Sequence, residues 1–409
     1  DHSTPDWIEI HNPESVGYDL SGWHLTDDPD DPDRWTFPSG TTIAPGAYLL
    51  VMASGLGASG PEEEVHTNFR LANQGEYLAL VQPDGTLQQE FAPGYPRQYS
   101  DVSYGLPSGQ ADYGYFPAPT PGAPNSDSVR GFVRDTTFSH KRGFYQEPFQ
   151  LEVTTATPGA TLFYTTDGST PDSSSTSVPP PDPGSPPVLS LPINATTIVR
   201  VFAYKQGHVQ TNTDTQSYIF LADILQQASM SRTVMDHPVW GPKVPEALLE
   251  VPSISLVTQE EIPTQPIMSP PEIPVSIEMI FPDGRTGFQA DAGIERFGGQ
   301  YTLYPKHALR VSFKEIYGPK RLKFDLFGET PYGGDTAVKS FDQILLRNGS
   351  HDSLFSPHYS HSRGVYLRSR YFFDRQIEMG HLSMRGRFVH VYLNGEYYGH
   401  YHLMERPNA

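Results

Sequence analysis

Three cations and a glycine pair mark the stretch of this 409-residue chain best equipped to hold a phosphate. Over residues 307–314 apolar and polar residues alternate, the period of a β-strand. The alternation puts His307, Leu309, Val311 and Phe313 on one face and Lys306, Ala308, Arg310, Ser312 and Lys314 on the other. Gly298-Gly299 precedes that strand, and backbone amides of a glycine turn beside cationic side chains can offset phosphate charge. A solvent-facing basic strand accounts for the same residues, and the spacing alone does not separate the two readings.

Two other groups have metal-ligand chemistry without metal-ligand spacing. His351, His358 and His361 with Asp352 could ligate Zn²⁺, but they lack the i,i+4 spacing of a helical site and read as a polar loop. Asp27, Asp28, Asp30, Asp31 and Asp33 crowd one loop, yet no glycine sits where an EF-type loop turns and no glutamate closes the set. That loop reads as solvated, and no metal site is assigned. Cysteine is absent, which excludes disulfides and thiolate ligands and fits a bacterial exported protein.

The elements that must position these groups are mostly strands. Forty prolines, 36 glycines, 23 tyrosines and 22 phenylalanines favour many short strands joined by turns. Charge is uneven: residues 1–105 hold 17 carboxylates against three arginines, net −14 of the total −19, whereas residues 290–409 hold 16 Lys/Arg against 12 Asp/Glu. The N-terminal part therefore repels nucleic acid, and only the C-terminal part welcomes a phosphate. No apolar run approaches the ~20 residues of a membrane span. The chain opens directly on strand-like Trp7-Ile8-Glu9-Ile10 and stops just after a hairpin, which reads as truncation at both ends.

Turn punctuation divides the chain into 1–105, a β-sandwich; 106–135, a Pro/Gly/Ser-rich extended connector; 136–220, a second all-β module; 221–250, a linker; and 251–409, strands with one helix. In the second module, 172–188 reads as an exposed insertion. In the last region the spacing predicts a helix over 363–380, with Val365, Tyr366, Phe372, Phe373 and Ile377 as its apolar stripe and Gly380 at its end. Asn394-Gly395 predicts a tight hairpin between 388–393 and 396–403. The fold class is mainly β with a C-terminal α+β region.

Several of these strings resemble known families. Asp6-Trp7-Ile8-Glu9-Ile10-His11-Asn12-Pro13, Leu20-Ser21-Gly22-Trp23-His24-Leu25 and Gly75-Glu76-Tyr77-Leu78-Ala79-Leu80 resemble the lamin tail domain, an immunoglobulin-like sandwich without catalysis whose usual first strand is missing here. Pro158-Gly159-Ala160-Thr161-Leu162-Phe163-Tyr164-Thr165-Thr166-Asp167-Gly168-Ser169 and Thr196-Thr197-Ile198-Val199-Arg200-Val201 resemble the chitobiase/β-hexosaminidase C-terminal domain. That domain is an accessory sandwich, and no carboxylate pair here is placed to flank a glycosidic bond.

Residues from about 251 onward resemble the CotH kinase family, a reduced and atypical kinase-like fold. The strings are Ala292-Gly293-Ile294-Glu295-Arg296-Phe297-Gly298-Gly299, Pro305-Lys306-His307-Ala308-Leu309-Arg310, Val391-Tyr392-Leu393-Asn394-Gly395-Glu396 and Glu405-Arg406-Pro407. The resemblance implies ATP-dependent phosphoryl transfer to protein hydroxyls with Mg²⁺ or Mn²⁺. It makes Lys306 the cation for the nucleotide phosphates, Arg310 a second, Glu405 the carboxylate orienting the lysine, and Gly298 and Gly299 the loop over the phosphates. Gln300 departs from the small polar residue usual after the glycines. The family's metal-binding aspartates lie beyond Ala409, so the chain is expected to be catalytically incomplete, with no catalytic residue assigned. The combination implies a secreted or cell-surface bacterial protein whose sandwiches hold a protein substrate or scaffold; the alternative is a non-catalytic structural or adhesion protein of the envelope.

Overall fold

The computed structural model describes residues 5–57, 64–262, 271–298, 306–330, 337–349, 352 and 364–406. Strand accounts for 39% of the chain and helix for 7%, so the mainly-β expectation holds. Two compact units form, one of Asp1–Phe132 with Gly207–Val209, the other of Val133–Gln206 with Gln210–Ala409.

In the first unit a three-stranded sheet of Asp6–His11, Tyr48–Ala53 and Val65–His66 and a four-stranded sheet built on His24–Thr26 and Leu78–Val81 enclose Leu25, Trp35, Phe37, Ile43, Val51 and Phe69. The aspartate loop is organised by side-chain hydrogen bonds and an arginine. Buried Thr26 places its hydroxyl 2.8 Å from the Asp28 carbonyl and 2.7 Å from that of Asp31, while Arg34 Nε lies 2.7 Å from Asp27. Residues 106–135 are not an extended connector throughout. Gly114–Phe116 pairs with Ser103–Gly105, and Tyr115 and Phe116 are buried, because aromatic residues supply burial that the proline count conceals.

The second sandwich, within the other unit, packs Thr136–Phe138, Phe149–Thr155 and Val188–Ile193 against a five-stranded sheet of Gly143–Tyr145, Asp214–Phe220, Thr197–Tyr204, Thr161–Thr165 and Thr176–Val178. Strict alternation in Phe149–Thr155 sends Leu151 and Val153 into the core with Leu162, Val199 and Val201. The insertion at 172–188 contributes the Thr176–Val178 edge strand as well as a loop. Residues 221–250 are not a free linker either. Short helical turns, beginning with Leu221–Ile224 and ending with Val244–Ala247, bury Ile224, Met230 and Leu248 against both neighbours.

The remainder folds as a closed seven-stranded barrel: β1 (Ser253–Val257), β2 (Ile273–Ile280), β3 (Gln289–Phe297), β4 (Ala308–Ser312), β5 (Gln343–Arg347), β6 (Gly386–Leu393) and β7 (Glu396–Glu405). The order round the barrel is β1-β2-β3-β4-β5-β7-β6, closed by parallel pairing of β6 with β1. Closure removes the unpaired edge that an open sheet exposes. Ile254, Ile277, Ile294, Leu309, Ile344, Val389 and Leu403 fill the interior. The β6–β7 turn is as predicted, with φ of +50° at Asn394 and +80° at Gly395, the pair that a type I′ turn requires.

One helix of this region, α1 (Arg368–Glu378), is shorter than predicted and buries no residue completely; Phe372 of the expected stripe is 63% exposed. The chain before it cannot continue the helix because Tyr366 has φ +60°. Asp352 instead receives the Val365 and Arg368 amides at 3.0 and 2.9 Å. A kinase-like fold was expected from the resemblance; what the described residues build is a β-barrel with one 11-residue helix.

Candidate functional site

Strand β4 sorts its residues as the alternation predicts, with Leu309 and Val311 inside and Arg310 outside, but the cations do not act together. Lys314 Nζ lies 2.7 Å from Glu272. Arg310 Nε donates to Glu295 at 2.6 Å, its guanidinium forms an ion pair with the same carboxylate, and Phe297 lies 5.7 Å from it. Arg310 and Glu295 are direct cross-strand partners, so the expected second phosphate cation is already neutralised.

Lys306 differs in kind. Its Nζ donates to the Tyr366 hydroxyl at 2.9 Å and to the His400 carbonyl, and it stands 4.1 Å from the Tyr401 ring centre and 5.2 Å from that of Tyr366. Tyr366 passes the contact on by donating to the His400 carbonyl at 2.7 Å. Among the described residues no carboxylate lies within ion-pair distance of Lys306. Burial without a counter-charge pushes its pKa down to about 7. Asn348 Nδ2 donates to the Lys306 carbonyl at 2.6 Å, fixing the chain where it enters β4. Gly399 admits the lysine stem: a Cβ there would stand 3.2 Å from Lys306 Cε, at a φ of +134°.

The other site residues expected from sequence fall elsewhere. Glu405 does not orient Lys306: its Oε1 accepts the Arg385 amide at 2.6 Å, with Arg385 Nη1 at 3.6 Å. It also lies five residues along β7 from His400, roughly 16 Å of strand. Gly298 ends the β3 segment with φ +102°. Gly299 lies outside the described residues, as do His351, His358 and His361. Asp352 is committed to the start of α1 and to Arg368 Nη1 at 2.8 Å. Among the described residues no three His, Asp or Glu side chains converge as a metal site would need.

Sequence reasoning missed the aromatic and imidazole wall of this niche. His390 and His400 are cross-strand partners with rings 5.5 Å apart, and Phe388 stacks on His400 at 5.0 Å. Burial drives the pKa of His400 down to about 4 and that of His402 to about 3, with Lys306 adding to the first shift and Arg370 to the second. A two-residue turn alone would set His390 opposite Gly399. The irregularity after Val391 moves the register by one residue and brings His400 there.

Three family models match the chain in succession: Lamin Tail Domain over residues 1–94, Chitobiase/beta-hexosaminidase C-terminal domain over 140–216 and CotH kinase protein over 294–409. The last begins inside β3, whereas the resemblance was read from 251; β1 and β2 precede it and complete the same barrel. A search of curated proteins finds no match. The domain types are ones found in extracellular proteins, and among the described residues no helix is long and apolar enough to cross a membrane.

Proposed function

We propose that the barrel binds ATP through Lys306 and that the parent activity is phosphoryl transfer to a protein hydroxyl, at a bacterial cell surface where the sandwiches serve as attachment modules. The observation that carries this reading is a half-buried ammonium held by a carbonyl, a phenol and two aromatic faces, with no carboxylate beside it among the described residues. A cation kept without an anion is costly, and a triphosphate is the anion that a kinase-type lysine meets. Lys306 therefore fits the nucleotide phosphates. No carboxylate set among the described residues fits Mg²⁺ or Mn²⁺, so no ligand is assigned to the ion and no step passes through it.

Neutralisation of Arg310 by Glu295 and engagement of Glu405 by Arg385 support a second reading, a non-catalytic structural or adhesion module of the envelope. Calorimetric titration with ATP and Mn²⁺ separates the two. At pH 8 Lys306 is largely neutral, so phosphate binding is expected to draw up to about one proton from the buffer. The heat should then depend on buffer ionisation enthalpy, and Lys306→Ala should abolish binding. Absence of binding to the full chain would favour the structural module.

A further inference from the structure

The second sandwich meets the barrel through contacts with the character of a protein interior. Ile219 of the sandwich and Ile224 and Leu248 of the 221–250 wedge cluster with Ile280 and Tyr392 of the barrel. Beside them Glu278 of β2 is fully buried, and both its oxygens are used across the joint. One accepts the Ser217 amide at 3.1 Å and the other the Ser217 hydroxyl, which also lies 2.8 Å from the Ser255 hydroxyl; Arg142 Nε stands 3.6 Å away. A buried carboxylate is tolerated only where its acceptor sites are satisfied, and these partners come largely from the other module.

The wedge also grips the β6–β7 hairpin, which carries the floor of the Lys306 niche. Gln227 donates to the Gly395 carbonyl at 2.9 Å and accepts the Tyr397 amide at 2.8 Å, so one side-chain amide holds the turn and the start of β7. His390 donates from Nε2 to the Ala247 carbonyl at 2.9 Å, because a carbonyl can only accept. That fixes the tautomer and leaves Nδ1 to accept from the Tyr397 hydroxyl at 3.0 Å. His390 pairs across the strands with His400, whose carbonyl holds Lys306. Each link from wedge to lysine is thus a hydrogen bond, a ring contact or a strand pairing.

We propose that the second sandwich and its wedge, beyond any part in attachment, are a positioning element of the Lys306 site, with Gln227 and His390 as its positioning residues. The inference rests on the Lys306 geometry and stands whether or not the ligand is ATP. Its test uses the full chain and the variants Gln227→Leu and Glu278→Ala, with Val153→Ala as a control that weakens the sandwich core away from the joint. Competitive acetylation of Lys306, followed by peptide mass spectrometry across pH, reads the amine's protonation directly. Opening the joint lets water and the hairpin relax around the ammonium. The apparent pKa should then rise by about one unit or more in the joint variants and stay put in the control. Gln227→Leu is the milder change and keeps the test decisive if Glu278→Ala does not fold. Unchanged Lys306 titration in folded Gln227→Leu overturns the proposal, as does an equal shift in Val153→Ala.

Discussion

Lys306 and Arg310 stand four residues apart along one stretch of chain and meet opposite surroundings. At the Arg310 end β3 presents Glu295 directly across the ladder, and the charge is cancelled within the sheet. At the Lys306 end the neighbours are a backbone carbonyl, a phenol and aromatic rings, and among the described residues no carboxylate cancels the charge. Both residues read alike in the alternation. What separates the neutralised cation from the uncompensated one is what the other strands pack against it, which the strand's own sequence does not contain.

The largest effect expected from breaking this contrast is at Lys306 itself. Its folded pKa of about 7 lies below the ordinary 10.5, so the unfolded chain binds a proton that the folded chain refuses between those values. Stability should therefore fall as pH drops from about 10.5 to 7 and level off below. Lys306→Met removes this penalty, on the order of 4 kcal/mol at most near neutrality, and on the proposed reading should also abolish ATP binding. Thermal midpoints across that pH range check both signs; a flat wild-type profile there would contradict the uncompensated lysine. A variant more stable and less functional is the mark of a site rather than of a core residue.

The imidazoles behind Lys306 give the next effect, in the same pH direction but over a more acidic range. His400 and His402 are held below the ordinary 6.5, at about 4 and about 3. Their contribution to stability is complete above 6.5 and is lost as pH falls through their folded values. Down to pH 4 each can account for roughly 3 kcal/mol, less in combination because the two sites interact. Midpoints measured from pH 7 to 4 should fall steeply in the wild type and less so in His402→Phe.

Much of the scaffold was legible because its signals are local. Alternation in 149–155, the Asn394-Gly395 turn and the strands that flank it depend on neighbours in sequence and appear where expected. What escaped depended on remote partners. The helix begins at Arg368 because Asp352 receives its amides, and the Pro-rich 106–135 stretch folds because Tyr115 and Phe116 find cover. At the site, Lys306 was visible as a cation on a strand. The neutralisation of Arg310 followed from the β3–β4 register, and the distance of Glu405 from Lys306 from the course of β7. The register irregularity that sets His400 opposite His390 has no local signature at all.

The smallest expected effect tests the other half of the contrast. Arg310 and Glu295 form a partly buried pair, with side-chain exposures of 25% and 12%, so breaking it should cost more than a surface bridge and less than a fully buried one. Arg310→Met or Glu295→Gln alone is expected to lower stability by about 1–2 kcal/mol. The double replacement Arg310→Met with Glu295→Leu should recover most of that loss, because neither charge is then left uncompensated on the wall of the barrel. ATP affinity should stay within about twofold in all three, since a cation already matched by a carboxylate has little charge to offer a phosphate. Denaturant unfolding and calorimetric titration on the same samples would show it. A large loss of affinity in Arg310→Met with stability unchanged would place Arg310 beside Lys306 in the site and erase the distinction between the two ends of the strand.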